Sequence, residues 1–128
     1  MSSFKLLFPI ILLLFLGGCS YYDEKTIKHV LEKEDFTNIE EIVIHDGSTG
    51  DTKTVTDDAQ IAKILSLIND VVLYKDDNQE PRDSFTYALT FLEGSKKLSI
   101  SNNKLHDTYY TTKRDLTEII DTFYKTIE

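Results

Sequence analysis

A short apolar segment near the start of the chain determines how much of the sequence is left to fold. Residues 6–16 are apolar throughout, and a single basic residue, Lys5, precedes them. The run of 11 residues is about half of the roughly 20 that a helix needs to cross a bilayer core. A basic start, a short apolar run and the small residues Gly17 and Gly18 are typical of a secretory signal peptide. We therefore predict that the chain begins with a secretory signal peptide.

The junction Leu16-Gly17-Gly18-Cys19 resembles the lipobox of bacterial lipoproteins. The resemblance implies cleavage between Gly18 and Cys19, a diacylglyceryl group on the Cys19 thiol, and room for further acylation, with palmitate as a typical chain. Two acyl chains make a stable anchor, because each buried methylene contributes about 0.8 kcal/mol and one chain holds only marginally. The protein would then be lipid-anchored on the extracytoplasmic side of the cell membrane. The alternatives are an ordinary cleaved signal peptide with an incidental cysteine, and a retained signal anchor.

The mature chain of 110 residues suits one domain that folds without disulfide bonds. Cys19 is the only cysteine, so the fold depends on packing alone. Removal of residues 1–18, which carry one basic and no acidic side chain, leaves a formal charge of −9. That charge argues against a nucleic-acid partner, which requires Lys and Arg to displace counterions, and against direct adhesion to anionic lipids. It permits a cationic protein partner, although solubility alone also explains it.

Hydrophobic periodicity predicts the elements of the mature chain. A short charged helix is predicted within residues 20–35. Asp57 and Thr112 are predicted to cap two longer helices, whose apolar side chains recur at helical spacing. Period-two alternation and turn residues predict strands at residues 39–45, 51–56, 84–92, 97–101 and 105–111, and residues 71–74 form a short strand or an extended exit.

The expected fold class is α+β. We predict an antiparallel sheet of about five strands, with the two long helices packed on one face and a short N-terminal helix in addition. The expected organisation is a lipoprotein signal peptide at residues 1–18, a lipid-anchored helix or tether at residues 19–36, and a single domain at residues 37–128.

Residues that could carry catalysis are few. The pairs His45-Asp46 and His106-Asp107 resemble the orienting half of a catalytic triad, but adjacent strand residues point to opposite faces of a sheet. His29 has only Glu32 as a carboxylate at helical spacing, and two ligands do not make a metal site. We therefore predict no catalytic residue, no metal site and no cofactor, and we expect the protein not to be an enzyme.

Two acidic loops leave an alternative open. Residues 46–51 faintly resemble a calcium loop, but Asp51 stands where the EF-hand pattern requires glycine. Asp76, Asp77 and Glu80 could gather a weakly held cation, although a solvated loop explains them as well. The alternative function is therefore a small-ligand or metal-sensing lipoprotein that uses these loops.

The tyrosines indicate a contact surface. If Tyr109 faces the core, Tyr110 faces outward, because neighbours on a strand alternate. An exposed tyrosine beside Thr-rich strands suits a protein contact surface, although ordinary sheet packing explains it too. The favoured hypothesis is an anchored protein-binding module, an adaptor or inhibitor, that engages a cationic extracytoplasmic protein through the outer face of the sheet.

Overall fold

The computed structural model of the chain describes residues 24–82, 85–101 and 104–127. Its elements form eight strands and three helices, most of them short. In chain order they are β1 (Glu24–Thr26), α1 (Ile27–Lys33), β2 (Glu41–Asp46), β3 (Thr52–Val55), α2 (Asp58–Ile68), β4 (Val72–Lys75), β5 (Tyr87–Glu93), β6 (Lys96–Ser101), β7 (Lys104–Leu105), β8 (Thr108–Thr112) and α3 (Leu116–Thr126).

The strands form one antiparallel sheet in the order β1-β4-β8-β7-β6-β5-β2-β3. One hairpin and a meander account for most neighbours: β2 pairs with β3, and β5 to β8 follow one another across the sheet. The strand β2 adds to the far side of β5, while β4 adds to β8 and carries β1 on its other side. Among the described strands, β1 and β3 are therefore the two edges.

One face of the sheet and the three helices enclose the hydrophobic core. Alternate residues of the central strands are buried, so that Ile42 pairs with Phe91 and Ile44 with Leu89 in register. All three helices contribute apolar side chains to the same cluster, among them Ile27, Ile64 and Phe123 from α1, α2 and α3. The opposite face carries mainly Thr and Ser on β3, β5 and β6, as expected of a solvated face.

The structure corrects the predicted architecture. The sheet has eight strands rather than about five, and α2 and α3 have only 11 residues each, so two long helices on a five-stranded sheet are wrong. Residues 24–26 belonged to a predicted helix but form β1, because they pair with residues 72–74 of β4. The predicted strand at residues 105–111 is two strands, β7 and β8, separated by a turn at His106 and Asp107.

The two predicted helix caps have different outcomes. Asp57 caps α2 as predicted, since its carboxylate accepts a hydrogen bond from the Gln60 N–H at 3.1 Å. Thr112 does not cap α3, because it is the last residue of β8 and pairs with Leu73. Asp115 caps α3 instead, and its carboxylate accepts from the Glu118 N–H at 3.2 Å.

The predicted tether region takes part in the domain. Ile27 is fully buried, and Val30, Leu31 and Phe36 belong to the core cluster. Residues 24–36 are thus packed against the domain rather than extended away from it. Residues 1–23 lie outside the described part of the chain.

Candidate functional site

The predicted site residues fall into two groups. Gly18 and Cys19, the predicted cleavage and lipidation positions, lie outside the described residues. Tyr110, the predicted exposed contact residue, is only 9% exposed and belongs to the hydrophobic core. The Lys25 ammonium lies 5.0 Å from the centre of the Tyr110 ring. Tyr110 is therefore unavailable as the centre of a protein contact surface.

Tyr109 points to the opposite face, where a loop covers it. The Arg82 guanidinium lies 4.2 Å from the centre of the Tyr109 ring, and the backbone N–H of Arg82 donates to the Tyr109 hydroxyl at 2.9 Å. The Gln79 side chain accepts from the Tyr109 backbone N–H at 2.9 Å. These contacts hold the loop of residues 76–82 against β8.

The same loop contains the acidic residues that suggested a cation site. The pKa of Asp76 is held below its usual value because its carboxylate accepts the Asn78 N–H and pairs with Arg82 at 2.9 Å. Asp76 is thus already neutralised from within the chain. Across the described residues, no group of three His, Cys, Asp or Glu side chains is placed to hold a metal ion.

The histidine–aspartate pairs are not assembled for catalysis. His45 is exposed on β2, whereas Asp46 is buried and accepts hydrogen bonds from the Ser48 hydroxyl and N–H, which lower its pKa. His106 lies in a left-handed turn with φ of 55°, and its Nε2 is 2.9 Å from the Glu34 carboxylate. Both partners of that second contact are solvent-exposed, so it ties the β7–β8 turn to the end of α1.

A cluster around α3 holds the most strongly perturbed titratable groups. The Tyr87 hydroxyl donates to Asp121 at 2.6 Å, and this bond raises the pKa of Tyr87 far above its usual value. Asp121 also accepts from Lys125 at 2.8 Å, so its own pKa is lowered. Tyr124 packs against Tyr87 at 5.4 Å between ring centres, and desolvation raises the pKa of Tyr124. The hydrogen bonds of Asp121 with Tyr87 and Lys125, together with the packing of Tyr124 on Tyr87, hold α3 against the sheet.

A different feature emerges at the β3 edge. A groove of about 410 Å³ lies beside the end of β3 and the first turn of α2, and its walls include Thr54, Thr56, Asp57, Gln60 and Thr126. The Gln60 Oε1 atom is buried and has no hydrogen-bond partner among the described residues. The Thr-rich composition of residues 51–56 suits a sheet edge or a solvated face, but the sequence does not predict the groove, because its walls come from segments far apart in the chain.

Comparisons of the chain with protein-family models, with curated proteins and with solved structures find no match. Within the described residues, no helix is long and apolar enough to span a membrane.

Proposed function

We propose that this protein is a membrane-anchored extracytoplasmic lipoprotein that acts as a non-enzymatic protein-binding module, an adaptor or an inhibitor. The observation that carries the proposal is the sequence Leu16-Gly17-Gly18-Cys19 at the end of an 11-residue apolar run. It puts the only thiol of the chain where a lipid anchor requires one. The partner would be another extracytoplasmic protein, and the acidic mature chain favours a cationic one.

The position of β1 supports an anchored module that works close to the membrane. The strand begins at Glu24, five residues after Cys19. Because an extended chain advances at most about 3.6 Å per residue, the two Cα atoms are at most about 18 Å apart. An anchored domain would therefore stay near the bilayer surface and meet partners that are themselves at the membrane.

The titratable groups favour binding over catalysis. A catalytic acid or base needs a free group poised near the operating pH. In the described part of the chain, the carboxyl groups with shifted pKa values, Asp46, Asp76, Glu93 and Asp121, are all lowered by hydrogen bonds from their neighbours. Groups held in this way are ionised at neutral pH and already occupied by protein donors.

Mass spectrometry of the full-length protein, expressed in a bacterial host, tests the anchor. The wild-type chain is expected to begin at Cys19 and to carry the mass of a diacylglyceryl group. The Cys19→Ala variant is expected to lack that mass and to retain residues 1–18, whereas Ser20→Ala should be processed as the wild type. A wild-type chain that is cut before Cys19 but carries no lipid would overturn the anchor and leave an ordinary signal peptide.

Cross-linking in intact membranes tests the binding module. The wild-type protein is expected to capture a specific extracytoplasmic protein that the Cys19→Ala variant captures poorly. Capture of a charge-driven partner should weaken as the ionic strength rises from about 0.05 to 0.5 M, because salt screens exposed charges. Absence of any specific partner for either form would contradict the binding-module proposal.

A further inference from the structure

The backbone of β3 has hydrogen-bonding groups that face away from the sheet. The Asp46 N–H donates to the Asp51 carbonyl at 2.8 Å, so this pair stands at a hydrogen-bonded position between β2 and β3, although the Asp51 N–H donates to the Thr49 hydroxyl at 3.1 Å. Such pairs alternate along antiparallel strands, so Lys53 and Val55 bond to β2, and the N–H and C=O groups of Thr52 and Thr54 point outward. In the described sheet, β3 has β2 as its only neighbour. Within residues 24–82, 85–101 and 104–127, no other strand pairs with these outward groups, so they can accept one.

The side chains of β3 do little to block this edge. Natural proteins protect sheet edges with proline, with charged side chains or with a covering element. Thr52 and Thr54 are exposed and uncharged. The one charged residue, Lys53, points to the core side, where its ammonium donates to the Tyr124 and Ile127 carbonyls at 2.8 and 2.6 Å. Its charge is thus satisfied within the chain and does not guard the edge.

The surroundings of the edge are acidic. Asp51 precedes β3, Asp57 and Asp58 come after it, and all three side chains are exposed. The groove beside Thr54 continues the edge towards Gln60, whose buried Oε1 lacks a donor among the described residues. An incoming strand that carries Lys or Arg would be attracted to these carboxylates. A second copy of this chain would bring the same carboxylates and a net charge of −8, so like charges would oppose it.

We propose that the β3 edge binds an extended, Lys- or Arg-bearing segment of a partner protein by β-strand addition, with backbone hydrogen bonds to Thr52 and Thr54. This inference rests on the proposed function in that it assigns a surface to the binding module. Backbone pairing provides the affinity in this mode of recognition, and the acidic rim selects the cationic segment. The groove receives side chains on the core side of the added strand.

The test uses the full-length protein in detergent and two synthetic peptides with blocked ends. The probe is Lys-Thr-Val-Lys-Val-Thr-Lys, and its counterpart has Glu in place of each Lys. We expect the basic peptide to bind, to slow amide hydrogen exchange at Thr52 and Thr54, and to bind at least tenfold more tightly than the acidic peptide. Equal binding of both peptides, or no change in exchange at these amides, would overturn the inference.

Thr54→Pro removes one outward N–H and is tolerated at an edge, because the pairing of Lys53 and Val55 with β2 is retained. It should weaken binding of the basic peptide at least tenfold, whereas Thr54→Val, which keeps the N–H, should stay within twofold of the wild type. If Thr54→Pro does not fold, N-methylation of alternate peptide amides removes the same bonds from the ligand side. Unchanged affinity in either experiment would contradict strand addition.

Two further outcomes separate this inference from the proposed function. A dimer of the wild-type chain that Thr54→Pro abolishes would identify a second copy as the occupant and overturn the cationic segment. Membrane cross-linking that depends on Cys19 but is equal for Thr54→Pro and Thr54→Val would leave the binding module standing and remove the β3 edge as its surface.

Discussion

The two edges of the sheet are built alike on the core side and differently on the outside. Each edge strand turns a lysine inward over a tyrosine, Lys25 over Tyr110 at 5.0 Å and Lys53 over Tyr124 at 4.2 Å. These contacts let a cationic side chain lie beside the core without an unpaired charge. The core side alone therefore does not decide which edge is accessible.

The outer sides differ in the length of the strand and in the segment that leaves it. β1 has three residues and continues directly into α1, whose first turn uses the Thr26 hydroxyl as its cap. Very short edge strands offer little template for pairing. β3 has four residues, and Thr56 separates it from Asp57, the cap of α2. β3 is one residue longer than β1 and ends before the cap of the helix that follows, so it offers the longer template for an added strand.

The largest expected loss of stability comes from a substitution in the turn that leads into β3. Gly47 lies in the turn that joins β2 to β3, and a methyl group on it would clash with the Phe85 carbonyl oxygen. Because backbone would have to move, Gly47→Ala should lower the free energy of unfolding by about 3 kcal/mol or more. Urea denaturation of the full-length protein in detergent measures this loss.

Gly50→Ala is the matched control in the same turn. Gly50 has a φ of +80° and nothing within 4 Å of an added methyl group. Only the backbone penalty applies there, and it costs about 1 kcal/mol. Equal losses for the two variants would mean that the contact between Gly47 and Phe85 does not support the edge.

The second prediction concerns the hydrogen bond between Tyr87 of β5 and Asp121 of α3, which helps to hold α3 against the sheet. Tyr87→Phe removes the hydroxyl that donates to Asp121 at 2.6 Å. The expected loss is about 1.5 kcal/mol, at the low end for a bond to a charged group because the Asp121 side chain is 34% exposed. Tyr124→Phe is the control, since among the described residues the Tyr124 hydroxyl makes no hydrogen bond, and it should cost less.

The pH dependence sharpens this prediction. The pKa of Asp121 is lowered in the folded protein, first by Lys125 and then by Tyr87. A lowered pKa contributes stability above the unfolded value of about 3.8, and this contribution is lost as the pH falls through the folded value. Tyr87→Phe should therefore lose less stability than the wild type below about pH 4. If the melting temperatures of both proteins fall equally as the pH is lowered through that range, the role of Tyr87 is contradicted.

The sequence was most informative where a residue's structure depends on its near neighbours. The alternation at Phe85, Tyr87, Leu89 and Phe91 predicted a strand with these side chains on one face. Tyr87, Leu89 and Phe91 are buried in β5, whereas Phe85 precedes the strand and is half-buried. The Asp57 cap depends only on Gln60 three residues later, and it was also predicted correctly.

The predictions failed where distant pairing decides. Residues 24–26 form a strand because they pair with β4, and the local signal for a later helix start was Thr26, which stands directly before Ile27 and caps α1. The alternation of side chains along a strand placed Tyr109 and Tyr110 on opposite faces of the sheet, but it could not decide which of the two faces the core. That assignment depends on the pairing of Tyr110 with Lys75 and on Arg82, which covers Tyr109. The Thr-rich composition of β3 suits a sheet edge or a solvated face, and the strand order decides that β3 is an edge.

The smallest expected effect compares one threonine on each edge. Thr26 accepts the His29 N–H at 3.1 Å and caps α1, so Thr26→Ala should cost about 1 kcal/mol. Thr54 is exposed, so Thr54→Ala should change the free energy of unfolding by no more than about 0.5 kcal/mol. Thr54→Ala also keeps its N–H, so binding of the basic peptide should stay within twofold of the wild type. Matched urea denaturation and peptide titration of the two variants measure both effects. A loss of stability at Thr54 as large as at Thr26 would show that the β3 edge is held by contacts of its own, and it would remove the difference between the two edges.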